Sequence, residues 1–293
     1  MHRDSIDDLR KLFVGLDKKV NINGKGRIVP INFDNAATTP PFKRVVKRVL
    51  ETTEYYGSIA RGDGQKSQYC SDLYEECRRY ILKYFNAPEE IYTAIFVGNT
   101  TDGLNKLSNI LINNKEDIVI TTRMEHHSND LPWRNKCDLK YVEVNEDGRI
   151  NINEIEELIE RYKEKVKYIT ITGASNVTGY INDIRKISGL IHKYGGKIIV
   201  DGAQLVPHKK IYMYKKDSLE NIDFLVFSGH KIYAPFGSGA IIGLREDFNN
   251  NLPDTKGGGT VEYVIDNNQL WLNTPEKNEA GTPNLFGAVA IME

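Results

Sequence analysis

No charge of either sign dominates this chain. Its 293 residues carry 39 Lys+Arg against 40 Asp+Glu, a net charge of −1. No global field therefore favours nucleic acid or an acidic membrane, and any anion site has to be local. Cysteine is scarce: Cys70, Cys77 and Cys137 form an odd set without metal-ligand spacing, which fits a reduced compartment better than a disulfide framework. Long apolar runs are missing too. The longest uncharged apolar-rich stretch, Ile232 to Leu244, is too short for a bilayer and is broken by Pro235, Gly237 and Gly239. The opening Met1-His-Arg-Asp-Ser-Ile-Asp-Asp lacks the apolar core of a signal peptide. No Walker A lysine motif and no Gly-x-Gly-x-x-Gly occurs, so nucleotide chemistry has little support. The expectation is a soluble cytoplasmic protein that engages neither nucleic acid nor membrane.

What is present is ordinary in bulk and ordered in pattern. Apolar residues at 40% and charged residues at 27% suit a globular chain long enough for one large α/β domain. Asp4 to Leu16 has helical apolar spacing and predicts an N-terminal helical arm within residues 1–30. Ile31 to Pro40 reads as a short strand running into a small-residue loop, and Phe42–Tyr56 and Ser67–Phe85 as helices. Strands and helices then alternate. Strands are expected at Tyr92–Val97, Ile118–Thr121, Leu139–Val144, Val166–Thr172, Lys197–Val200, Phe224–Phe227 and Ala240–Leu244. Helices are expected at Thr101–Asn113, Asn153–Lys165 and Asp183–Tyr194. Such alternation predicts an α/β fold with a mainly parallel sheet covered by helices on both faces. In these sheets ligands sit beyond the carboxyl ends of the strands, so the residues there hold the chemistry.

Each strand end carries something. After Phe224–Phe227 comes Ser228-Gly-His-Lys231, a lysine among small residues whose amine suits Schiff-base formation. After Val97 comes Gly98-Asn-Thr-Thr-Asp-Gly103, where backbone N–H groups, a helix N-terminus and the Thr100 and Thr101 hydroxyls can meet an anion. After Thr121 come His126 and His127, which as sequence neighbours point differently and make no helical metal pair, whereas one imidazole can stack on a ring. After Thr172 comes Asn176. After Val200 comes Asp201, a carboxylate at the end of a buried strand that needs a cation. Taken singly, each has a plainer reading: a surface lysine, an ordinary N-cap, a structural histidine, an ion pair. Together Lys231, Asp201, His126 and the Gly98–Gly103 loop supply what pyridoxal 5′-phosphate requires: an imine-forming lysine, a carboxylate for the ring nitrogen, a flat group and a phosphate cradle.

In order along the chain stand Phe33-Asp-Asn-Ala-Ala-Thr-Thr39, Asn99-Thr-Thr-Asp-Gly103, Glu125-His-His-Ser-Asn129, Ser175-Asn-Val-Thr-Gly179, Asp201-Gly-Ala-Gln204, Ser228-Gly-His-Lys231, Gly257-Gly-Gly259 and Glu279-Ala-Gly-Thr-Pro-Asn284. With these motifs the chain resembles the class V aminotransferases among fold-type I pyridoxal phosphate enzymes, nearest to the cysteine desulfurase and selenocysteine lyase branch. The resemblance implies a three-layer large domain over 31–293. It implies that Lys231 is the Schiff-base lysine and moves the substrate Cα proton. Asp201 would hold the pyridine N–H, Gln204 would face the ring hydroxyl and His126 would stack on the ring. Thr100 or Thr101, Ser228 and His230 would bind phosphate, and Asn176 would sit near the ring hydroxyl or the substrate carboxylate. Thr282 would reach the phosphate of a second subunit, which implies a homodimer with shared sites.

The implied chemistry is desulfuration of a small amino acid, L-cysteine, to L-alanine, with the sulfur left as an enzyme persulfide and passed to a sulfur-acceptor protein. Other class V reactions (transamination, epimerisation, selenocysteine lysis) and a non-catalytic scaffold are the alternatives. The sequence departs from the family where Ala60, Gly64 and Gly173 stand in place of usual histidines. It also stops at Glu293, where the family continues into a small C-terminal domain with the carboxylate-binding arginine and the nucleophilic cysteine. The expectation is a large domain without that small domain.

Overall fold

β-Branched runs such as Ile118–Thr122 and Lys197–Asp201 have no helical stripe and bury residues on both sides, as central strands do. The computed structural model describes residues 6–59 and 62–293. Seven strands form one sheet: β1 (Tyr92–Val97), β2 (Ile118–Thr122), β3 (Asp138–Val142), β4 (Val166–Thr172), β5 (Lys197–Asp201), β6 (Phe224–Ser228) and β7 (Gly239–Leu244). Their order is β1-β7-β6-β5-β4-β2-β3. β6, β5, β4, β2 and β3 pair in parallel, while β7 runs antiparallel to both β1 and β6. The expected α/β architecture with a mainly parallel sheet is therefore the one observed.

Alternation along the strands splits the core into two faces. On β6, Leu225 and Phe227 join Ile198 and Val200 on one side, and Phe224 and Val226 join Ile199 on the other. The first face is covered by α4 (Ile152–Tyr162) and α5 (Ile184–His192), which bury Ile155 and Ile159, and Ile187 and Ile191. The second is covered by α3 (Thr100–Leu111) through Leu104, Leu107 and Leu111. A further cluster joins α1 (Lys43–Thr53), α2 (Gln65–Tyr84) and α6 (Leu285–Met292) through Val45, Val49, Leu73, Cys77, Leu285 and Val289. Full burial of one such aliphatic side chain contributes roughly 1.5–3 kcal/mol.

The N-terminal expectations need correction. Asp4 and Ser5 lie outside the described residues, and the helix covers only Ile6–Arg10. Leu9 and Leu12 are exposed, so beyond Arg10 no buried partner sustains the helical spacing. Phe13 instead bridges to Phe42, and 20–28 form a small antiparallel hairpin. Ile31–Pro40 makes no strand, and Ile31 and Phe33 are exposed. A second hairpin, Val261–Ile265 with Asn268–Trp271, has no counterpart among the sequence expectations.

Candidate active site

The carboxyl ends of β2, β4, β5 and β6 point the same way, and the end of β1 joins them because antiparallel β7 begins there. Gly239 pairs with both Val97 and Ser228. A Cβ at this glycine would collide with the Phe227 carbonyl and come within 3.1 Å of the Asn99 Cα, so only glycine lets the three ends close up. At the start of α3 the Asn99 side chain accepts the Asp102 N–H at 2.9 Å, and the Asp102 carboxylate accepts the Gly98 N–H at 2.8 Å. The loop does cap the helix, through Asn99 rather than a threonine, and two of its backbone donors are engaged within the turn. Thr100 points elsewhere. Its N–H donates to the Ser228 hydroxyl at 2.8 Å, and the two hydroxyls lie 2.7 Å apart.

These ends surround a cavity of about 650 Å³. Thr100, Thr101, His126, Asn176, Asp201, Gln204, Ser228, His230 and Lys231 all line it, so nine of the ten expected site residues come together. Thr282 does not. It lines a neighbouring hollow of about 280 Å³, which shares Gly98, Gly237 and Ser238 with the larger one.

Asp201 is 3% exposed. One of its oxygens accepts the Ala203 N–H at 2.9 Å, and among the described residues no ion pair neutralises it. Burial pushes its carboxyl above the usual range, against the pull of that N–H and of the Lys231 and His126 charges. A buried carboxylate with spare acceptor capacity at a cavity wall fits a cationic N–H from a bound group. Burial, and then the Lys231 charge, holds the His230 imidazole below its ordinary value. The Ser128 N–H donates to His126 Nδ1 at 3.1 Å, which leaves the neutral ring proton for Nε2. The Ser128 hydroxyl lies 2.9 Å from the same nitrogen and 2.7 Å from the Thr101 hydroxyl. Gln204 donates its amide to the Ala36 carbonyl at 2.9 Å, and so ties the 34–39 loop to the cavity rim. The donor set, the lone carboxylate and the flat imidazole fit pyridoxal phosphate.

Some participants had no assigned role in the sequence reading. Glu125, beside His126, accepts from the Thr122 hydroxyl at 2.7 Å and the Asn129 amide at 2.6 Å. Asn129 is held in turn by Trp133 and Thr170. Burial, helped by the Asp201 charge, raises the Glu125 carboxyl to about 8. Asp34 and Ser128 also line the cavity. Each lies inside a quoted motif, but hydroxyls and carboxylates adjacent to a recognised residue carry no signal of direction. Of the departures, Ala60 lies outside the described residues, as does Arg61. Gly64 faces open space, and a side chain at Gly173 would meet buried Leu205 at 2.6 Å. Cys70 and Cys77 are buried and Cys137 is half-buried. None of the three lines the cavity.

Comparison with known proteins agrees with this geometry. The profile of the aminotransferase class-V family matches residues 31–293. A probable cysteine desulfurase of Borreliella burgdorferi is 37% identical over 304 residues, covering 99% of this chain and 69% of its own length. A cysteine desulfurase of Wigglesworthia glossinidia brevipalpis is 33% identical, with 98% and 69% covered. The apo structure of a cysteine desulfurase from Thermococcus onnurineus superposes with a TM-score of 0.80 at 32% identity, covering 89% of this chain and 65% of that one. The chain therefore spans between 65% and 69% of the length of these three relatives.

Proposed function

The chain belongs to the aminotransferase class-V family, a family of pyridoxal-phosphate enzymes, and from that membership we propose that it holds the cofactor through Lys231. The protein it represents would convert L-cysteine to L-alanine. Bound there, the cofactor supplies an electron sink for the carbanion formed when the substrate Cα proton leaves. The Lys231 amine takes that proton and returns one to the product. Asp201 keeps the ring nitrogen protonated by accepting its N–H, which makes the sink effective. His126 would stack on the ring, Gln204 would face its hydroxyl, and Asn176 would orient the substrate side. Thr100, Thr101, Ser228 and His230 would hold the phosphate, and Thr282 would reach that of a second copy in a homodimer.

One observation carries this proposal. Lys231, Asp201 and His126 come from three different strand ends and line one cavity, with the Asp201 carboxylate buried and free of any ion pair among the described residues. The same cavity geometry serves any amino acid, so the choice of cysteine rests on the relatives' activity. In that reaction a thiol attacks the substrate sulfur, the C–S bond breaks, and the thiol becomes a persulfide as alanine forms. Burial pushes the Cys77 thiol up to about 12 and the Cys137 thiol up to about 11, far from a thiolate at neutral pH. None of the three cysteines lines the cavity, so none of them is proposed as the accepting thiol. Transamination, by contrast, needs no such thiol.

The test starts with colour. Purified protein given pyridoxal phosphate should turn yellow and be bleached by borohydride, and Lys231→Ala should stay colourless, with turnover lower by at least about a hundredfold. Alanine and sulfide should then appear from cysteine. A keto acid in their place would indicate transamination, and a dimer that never colours would leave the scaffold.

A further inference from the structure

The turn that carries Lys231 has an unfavourable backbone. Gly229–Lys231 is a single 3₁₀ turn, and two residues later Tyr233 has φ +65°, with Phe236 at +85°. Bulky side chains adopt that left-handed region only where their surroundings over-determine it. Inside the turn, the Ile232 and Ala234 N–H groups close on the Gly229 carbonyl at 2.9 and 3.0 Å. From outside, the Thr38 hydroxyl donates to the His230 carbonyl at 3.3 Å and the Phe42 N–H to the Tyr233 carbonyl at 3.4 Å, and Thr39 reaches both sides of the lysine. The Thr39 N–H donates to the His230 carbonyl at 2.9 Å, and its hydroxyl donates to the same oxygen at 3.0 Å. That hydroxyl also accepts the Tyr233 N–H at 2.8 Å. Backbone groups on either side of Lys231 thus meet at one half-buried side chain. Behind it, the Tyr233 ring packs 4.6 Å from Phe42 and 5.6 Å from Phe13, and those two rings stack at 4.8 Å.

We propose that Thr39 is a positioning residue: it fixes the turn around Lys231, and so the reach of the lysine amine into the cavity, with the Phe13–Phe42–Tyr233 stack as its support. The inference rests on Lys231 being the cofactor-bearing lysine. A hydroxyl has one proton to give and lone pairs to receive, so at this size only serine or threonine can hold both sides of the turn at once. Valine has the same shape and leaves the Tyr233 N–H without its acceptor.

Two readouts separate this inference from the proposal beneath it. In protein loaded with pyridoxal phosphate, Thr39→Val should keep a borohydride-bleachable colour. It should shift the absorbance maximum and release the cofactor about tenfold faster, whereas Thr39→Ser should stay within about twofold of wild type. In protein without cofactor, exchange of the Tyr233 amide hydrogen should quicken about tenfold in Thr39→Val and hold steady in Thr39→Ser. Thr39→Ala takes the place of a valine variant that does not fold. Unchanged cofactor release together with unchanged Tyr233 exchange in Thr39→Val overturns the inference, as does a serine variant as impaired as the valine one. A wild type that never colours removes the cofactor role of Lys231, and the amide exchange then decides on the Thr39 bracket alone.

Discussion

Two buried carboxylates show how differently one chemical group is used in this molecule. Glu279, on the segment before α6, is saturated. One oxygen accepts from Arg78 at 2.9 Å and from the Phe96 N–H at 2.7 Å; the other accepts from Arg78 at 2.9 Å and the Tyr74 hydroxyl at 3.0 Å. Arg78 also pairs with Glu75 and donates to the Ala94 carbonyl. The side chains of Arg78 and Glu279 are 5% and 9% exposed, so the pair welds α2, β1 and the 279–284 segment together with nothing left over. Asp201 is equally hidden, yet it has one backbone donor and faces a cavity. A carboxylate with every lone pair matched is a structural joint, and one left short at a cavity wall is a receptor.

Breaking the joint should have the largest effect on stability. Arg78→Ala leaves Glu279 charged, buried and unpaired, and should lower unfolding free energy by about 3–5 kcal/mol in denaturant titrations. Asp201→Asn should do the reverse of this pattern. Without cofactor its stability should stay within about 1 kcal/mol of wild type, while pyridoxal phosphate should bind roughly ten- to a hundredfold more weakly for loss of a charged hydrogen bond. A stability loss in Asp201→Asn as large as that of Arg78→Ala would erase the distinction.

The smallest effect concerns pH. Burial raises Glu125 from its ordinary 4.5 to about 8, so the folded chain binds this proton more tightly than the unfolded one. Its contribution to stability is complete below about 4.5 and is lost as pH rises through about 8. Asp201, also raised by burial, acts in the same direction. Glu125→Gln should flatten the decline in stability across that window, measured as denaturation midpoints at several pH values. An unchanged slope would mean that Glu125 is ionised in the fold.

Much of this was legible along the chain. All seven strands of the sheet follow from short β-branched or apolar runs, and the site residues from their place just after those runs. The expected elements failed where the tertiary partner was missing. Helical spacing at Leu12 and Leu16 meets no core, and the exposed Ile31–Phe33 segment pairs with no strand among the described residues. Thr282, assigned to the phosphate of a second subunit, lies in the adjoining hollow, where the Arg78–Glu279 joint holds its segment against β1.

Short apolar runs, turn residues and the chemistry of a lysine, an aspartate and a histidine at strand ends are local properties, and the amino-acid sequence alone settles them. Which hydroxyl faces which backbone group is not local. Thr39 meets His230 and Tyr233, Thr100 meets Ser228, and Glu125 lies near Asp201. Antiparallel β7 beside β1 and β6 helps bring such distant loops together, and hydrogen-bond direction exists only once that packing is in place.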